Sequence, residues 1–131
     1  MAATALVEAQ ISDAVLLVKK LDARGDPPAL AAWYLYDDTD EWRLVVAGPT
    51  FDAVLLKQEP IAYRKIVEAL AELGSSSISV SDVKLVSSKS PLPNAIRMMI
   101  GTGPTGITRA HCVANTINGI FIKEMYVLRS A

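Results

Sequence analysis

The sequence predicts an α+β domain, a two-layer sandwich with a mainly antiparallel sheet of about five strands and about three helices, in the order α-β-β-α-β-α-β-β. Apolar residues recur at helical spacing in residues 6–21 and 61–73. Runs rich in aromatic and β-branched residues, separated by turn residues, form two hairpins at 30–46 and 107–128. Because strands and helices do not alternate regularly, a doubly wound parallel sheet is not expected.

The composition indicates one domain that spans residues 1–131. Hydrophobic residues make up 51% of the chain and charged residues 21%, so apolar side chains are sufficient to offset the entropy lost on folding. No repeat, low-complexity tract or linker divides the sequence. A chain of this length has room for one core.

The first helix is predicted over residues 6–21, and the side of the helix that faces the core comprises Ile11, Ala14, Val15, Val18 and Leu21. The tripeptide Arg24-Gly25-Asp26 and two prolines follow, and such residues end a helix. The same tripeptide forms an integrin-binding motif in extracellular proteins. Because no secretion signal precedes it, we interpret it as the end of the helix.

The first hairpin joins strands 30–36 and 41–46 through an acidic loop, Asp37-Asp38-Thr39-Asp40. The three aspartates and Glu41 could bind a metal ion. A calcium-binding loop, however, is longer and has a central glycine and a distal glutamate. The loop is therefore predicted to be a solvated turn, and no metal site is expected.

The middle of the chain predicts two helices around one strand. Pro60 begins a helix that Gly74 ends, and this helix is expected to cover the sheet. A strand follows over residues 78–86 and a short helix over 92–100. Residues 47–59 fit either a turn of helix or an extended edge.

The loop GTGPTG, residues 101–106, could present backbone N–H groups to a phosphate. A dinucleotide-binding loop lies between a strand and a helix, and a P-loop has a lysine followed by serine or threonine. This loop instead runs from a helix into a strand, which favours a helix cap followed by a bend. Whether it binds an anion stays open.

The second hairpin joins strands 107–114 and 120–128. Side chains alternate between the two faces of a strand, and the small ones share a face that suits close packing against helices: Thr108, Ala110, Cys112 and Ala114. Cys112 is therefore predicted to be buried and unreactive. His111 lies on the opposite face, which the helices are expected to leave uncovered.

The same alternation, applied to both hairpins, predicts an open sheet face with aromatic and cationic side chains. Its residues are Tyr34, Tyr36, Arg43, Arg109, His111 and Lys123. Such a surface can receive another protein, or it can stack on the bases of RNA or of a nucleotide. It is the candidate binding site.

Charge and cysteine content restrict the partners. A net charge of −1 and a pI of about 5.8 create no general attraction to nucleic acid or anionic lipid. One cysteine and one histidine cannot supply a disulfide framework or a Cys/His zinc site. The N-terminal segment lacks the pattern of a signal peptide, and its longest apolar run is too short to cross a membrane. These features predict a cytoplasmic protein without a cofactor.

Catalysis is a weaker expectation than binding. A metal-independent hydrolase or ribonuclease could use His111 with Arg109 and a carboxylate such as Glu124. The sequence has no second histidine to complete an acid–base pair. Cys112 adjoins His111 and points to the opposite face of the strand, so it is not expected to be a nucleophile that His111 activates.

Two segments resemble parts of known proteins. The segment ITRAHCVANTINGIFIKEMYVLRS is similar to the ends of small bacterial α+β proteins, and AWYLYDDTDEWRLVVAGP is similar to their first hairpin. This resemblance implies a bacterial cytoplasmic protein of unknown activity. It includes no catalytic motif and assigns no functional residue.

The leading hypothesis is a protein-interaction or self-association module that binds through its sheet, as a homodimer or on a protein partner. The last strand is apolar on both faces, with Phe121, Met125 and Val127 opposite Ile122, Tyr126 and Leu128. The helices are expected to cover one face, and a second chain or this chain's own loops the other. RNA or nucleotide binding and the hydrolase activity are the alternatives.

Overall fold

The computed structural model describes residue 6 and residues 8–131 apart from 56 and 75. The elements are, in chain order, α1 (Glu8–Ala23), β1 (Leu30–Tyr36), β2 (Glu41–Ala47), α2 (Pro49–Leu55), α3 (Glu59–Leu73), β3 (Val83–Leu85), α4 (Pro91–Met99), β4 (Ala110–Ile117) and β5 (Ile120–Ser130). The α+β class is confirmed. The segment that fitted either a helical turn or an edge strand contains α2.

The five strands form one sheet in the order β3-β2-β1-β5-β4. Three neighbouring pairs are antiparallel and the pair β2–β3 is parallel, so the sheet is mixed. The strand expected over 78–86 is reduced to β3 because Val80–Asp82 form a 3-10 turn. The Asp82 carboxylate accepts a hydrogen bond from the backbone N–H of Ser79 at 2.9 Å and stabilises that turn.

The first face of the sheet packs against α1 and α3. Trp33, Leu44 and Val46 belong to the cluster of buried side chains on this face, the first core cluster. The side of α1 that meets them comprises Ile11, Ala14, Leu17, Val18 and Leu21. Leu17 thus takes the core position that the sequence pattern assigned to Val15, which is only partly buried.

Helix α4 covers the second face. Its Ile96 packs with Ala32, Val45 and Met125 in the second core cluster, and all four side chains are fully buried. Leu92 and Ile100, four residues before and after Ile96, pack against the same cluster. The expectation that all helices lie on one side of the sheet is therefore wrong for α4. This chain itself covers Met125 and Val127 on the second apolar face of β5, whereas Phe121 is half-exposed.

Two irregularities in the second hairpin change the direction of its side chains. Between β1 and β5 the register shifts, so that Ala32 lies opposite Val127 and Ala31 lies opposite Arg129. Residues that lie opposite each other share a face, so Arg129 points to the first face, where Ala31 packs. In β4, Ala114 has a left-handed backbone with φ 53°, which bends the strand near its middle.

The hairpin turn itself is shorter than the predicted 115–119 loop. Asn118 and Gly119 have φ of 50° and 80° and connect β4 to β5 as a two-residue turn.

No helix in the described part of the chain is both long and apolar enough to span a bilayer.

Candidate functional site

Strand β4 forms one edge of the sheet, and its outer side adjoins no strand of the described residues. Its sequence AHCVANTI contains no lysine, arginine, aspartate, glutamate or proline. Natural edge strands usually carry such residues, which prevent the addition of another strand. The opposite edge, β3, has only three residues and carries an exposed Lys84. Strand β4 is therefore the edge on which another strand can pair.

His111 is held on the first face by two neighbours on β5. Its ring stacks on Tyr126 with centroids 4.1 Å apart and planes 2° apart. Its Nε2 lies 2.7 Å from the Glu124 carboxylate. In the neutral ring this geometry leaves Nδ1 as the acceptor. Sequence reasoning named Glu124 as a partner and missed Tyr126, because only the register of β4 with β5 places that ring.

The exposure of the His111 side chain leads to a stability prediction. The His111 side chain is 42% exposed, and exposed ion pairs contribute little to stability. We expect His111→Ala to lower the free energy of unfolding by less than about 1 kcal/mol. Urea unfolding followed by tryptophan fluorescence measures this, with Glu124→Gln as the matched variant. A loss of several kcal/mol would contradict the exposed position.

The two tyrosines of the predicted open face lie in the second core cluster or against it. Tyr34 is 7% exposed, and its hydroxyl donates a hydrogen bond to the Phe121 carbonyl at 3.4 Å. The Tyr36 ring packs edge-on against Tyr34, 4.8 Å between centroids. Burial raises the pKa of both hydroxyls. These rings are largely covered by the chain itself.

The three cations of the predicted face each bind an oxygen of this chain. Arg109 pairs with Glu8 and lowers the pKa of that carboxyl by hydrogen bonding. Lys123 pairs with Asp40, whose hydrogen bond raises the lysine pKa. Arg43 donates to the Ser81 carbonyl.

The predicted site residues therefore do not form one surface. His111 lies opposite Tyr126, which packs against the first core cluster, whereas Tyr34 and Tyr36 pack in or against the second. Arg43 lies opposite Tyr34 in the register of β1 and β2.

A cleft of about 470 Å³ opens beside the first hairpin, lined by Gln10, Asp40, Glu41, Trp42, Arg43, Ser81 and Asp82. Neither His111 nor Glu124 lines it, so it does not provide the histidine–glutamate pair with a substrate pocket. Within the described residues, no group of three or more His, Cys, Asp or Glu side chains is arranged to hold a metal ion.

The GTGPTG loop is bound to the end of β5. The backbone N–H of Thr102 donates to the Ser130 carbonyl at 2.7 Å, and the Ser130 N–H donates back to the Thr102 hydroxyl at 3.0 Å. The Gly106 carbonyl accepts a hydrogen bond from Arg129 at 3.0 Å. These contacts support the interpretation of the loop as a bend that returns the chain to the sheet.

The closed shape of this loop requires a glycine at its end. A Cβ on Gly106 would collide with the backbone carbonyl of Thr102, whereas a Cβ on Gly101 would meet open space. We expect Gly106→Ala to destabilise the protein by about 1–3 kcal/mol and Gly101→Ala to have a much smaller effect. Urea unfolding of the two variants checks this, and equal losses would contradict the closed loop.

The tripeptide Arg24-Gly25-Asp26 is built into the fold. Arg24 pairs with Glu68 at 2.9 Å, and the buried Asp26 pairs with Lys65 at 3.0 Å. Both contacts join the end of α1 to α3. They agree with the interpretation of the tripeptide as the end of a helix.

Arg129 was not identified from the sequence. It is fully buried, and its guanidinium donates to both carboxylate oxygens of Asp22 at 2.7 and 2.8 Å. It also donates to the carbonyls of Gly106 and Pro28. One side chain thus connects β5 to α1 and to two loops.

Cys112 is partly buried, which corrects the prediction that it is buried. It lies opposite Met125 and packs against the second cluster. Burial raises the pKa of its thiol, which lowers the reactive thiolate fraction at neutral pH.

A scan against protein-family models and searches of curated proteins and of solved structures found no match to this chain.

Proposed function

We propose that this protein is a cytoplasmic interaction module that binds a β-strand of its partner along the edge of β4. The open edge carries this proposal, because the part of β4 before the bend at Ala114 has none of the charged or proline residues that block strand addition. Strand addition derives its affinity from main-chain hydrogen bonds and its specificity from alternate side chains. The chain's single cysteine fits a reducing compartment.

The side chains beside this edge support the same function. Val113 is 55% exposed, and Phe121 on β5 is 50% exposed. His111, which is also exposed, lies two residues before Val113 on the same face of β4. A partner strand would cover Val113 and provide contacts for the ring of His111, so apolar and polar recognition would lie side by side.

The two alternative functions receive less support. For RNA or nucleotide binding, each predicted cation already binds an oxygen of this chain, and the loop beside Lys123 is acidic. For hydrolysis, the Glu124 carboxylate lies at hydrogen-bonding distance from His111 and could orient that ring as a general base. That pair lies on an open surface, with one ring face stacked on Tyr126.

A selection experiment tests the proposed function. Random peptides long enough to span β4, displayed on phage, are selected on the immobilised protein. We expect peptides whose binding is lost in Val113→Lys and retained in Val67→Lys, since Val67 is a valine of similar exposure on α3. Selected peptides that bind both variants equally, or no selected peptides, would contradict the proposal.

A further inference from the structure

We infer that the strand added to β4 is β4 of a second copy of this chain, antiparallel to the first, with the twofold axis passing beside Cys112. This inference rests on the proposed function and names its partner. It joins two five-stranded sheets into one continuous sheet across the dimer.

The absence of lysine, arginine, aspartate and glutamate from β4 permits this pairing. A symmetric interface places each surface against its own copy, so every charge on the edge would meet a like charge nearby. The sequence AHCVANTI contains no lysine, arginine, aspartate or glutamate, and the Nε2 of His111 lies 2.7 Å from the carboxylate of its own Glu124. The edge is therefore compatible with itself.

The pleat of the strands restricts the register. In an antiparallel pair, residues that lie opposite each other share a face, and a twofold axis perpendicular to the sheet keeps each residue on its own face. The axis must therefore pass where a residue lies opposite its own copy. Because the left-handed Ala114 bends β4, regular pairing belongs to the residues before it, and the axis lies beside His111 or Cys112.

The two registers place different side chains together. An axis beside His111 would put two imidazole rings opposite each other, and would put Arg109, which is paired with Glu8, opposite Val113. An axis beside Cys112 puts the exposed Val113 against the His111 ring of the other copy, twice. The second register brings the exposed Val113 against an aromatic ring and keeps the two imidazole rings from lying opposite each other.

The test measures mass and proximity in the full chain. Light scattering from micromolar to millimolar concentration is expected to give twice the 14.1 kDa chain mass. Val113→Lys is expected to raise the dimer dissociation constant about tenfold or more, because it places two cations near the axis. Val67→Lys is expected to leave the constant unchanged.

The single cysteine tests the register. The thiol oxidant diamide should convert the native protein to a covalent dimer, and Cys112 is the only residue that can form that disulfide. The variant Cys112→Ser with Val67→Cys is the control and should stay monomeric in denaturing electrophoresis. A dimer that does not crosslink, or a control that crosslinks equally, would overturn the inference.

A single-chain mass at every concentration would also overturn the inference. Peptides that still require Val113 would then show that β4 binds a different strand, and the proposed function would stand. Dimers that persist unchanged in Val113→Lys would place the interface elsewhere and contradict the inference. The inference and the proposed function can thus fail separately.

Discussion

Arg129→Met is expected to lower the free energy of unfolding by about 2–4 kcal/mol, since the guanidinium is fully buried whereas the Asp22 carboxylate is 32% exposed and can regain water. The methionine keeps most of the side-chain volume but donates no hydrogen bond. The Asp22 carboxylate and the carbonyls of Gly106 and Pro28 then lose their donor. Domains of this size have a total stability of about 5–15 kcal/mol, so this single change removes a large fraction of it.

Arg24→Met is the matched control for this prediction. Arg24 also pairs with two carboxylates, Glu68 and Glu72, but on the surface, where such pairs contribute about 0–1 kcal/mol. Urea unfolding followed by circular dichroism compares the two variants. The double variant Arg129→Met with Asp22→Leu should lose less stability than the sum of the single changes, because it removes the unpaired carboxylate. Strict additivity would show that the pair has no energetic coupling.

Trp33→Ala is expected to cost about 3–5 kcal/mol, as large-to-small changes of buried aromatic residues do. Trp33 is 1% exposed in the core beneath α1. Its indole N–H donates to the Gln10 carbonyl at 3.1 Å, which joins the centre of the sheet to the first turn of that helix. The variant loses both the packing and this connection.

The second tryptophan provides the control. Trp42 on β2 is only partly buried, so Trp42→Ala is expected to cost clearly less than Trp33→Ala. Trp33→Phe keeps an aromatic ring and removes the donor, and about 1–2 kcal/mol is expected. Circular dichroism during urea unfolding measures all three variants. Equal losses for the two alanine variants would contradict the central position of Trp33.

The candidate site was only partly predictable from the sequence. Alternation along β4 correctly separated His111 from Cys112, and the residue types suggested Glu124 as a partner of His111. The stacking of His111 on Tyr126 depends on the register between β4 and β5, which alternation in a single strand does not determine. The six predicted open-face residues are divided between the two faces because the pairing register puts Tyr34 opposite Met125 and His111 opposite Tyr126. This register cannot be read from one strand.

The sequence alone determined the α+β class, both hairpins and the helices α1, α3 and α4, because each depends on local periodicity and turn residues, and it left the segment of α2 open. The strand predicted over 107–114 included the charged Arg109, so the absence of charged side chains from β4 depends on its bounds in the structure, Ala110–Ile117. Only the tertiary structure decided that α4 covers the second face, that β4 is an edge, and that a shift of register turns Arg129 towards Asp22. These features depend on contacts between residues far apart in the chain. Arg129 and Asp22, 107 positions apart, meet only after the sheet and the first helix have packed together.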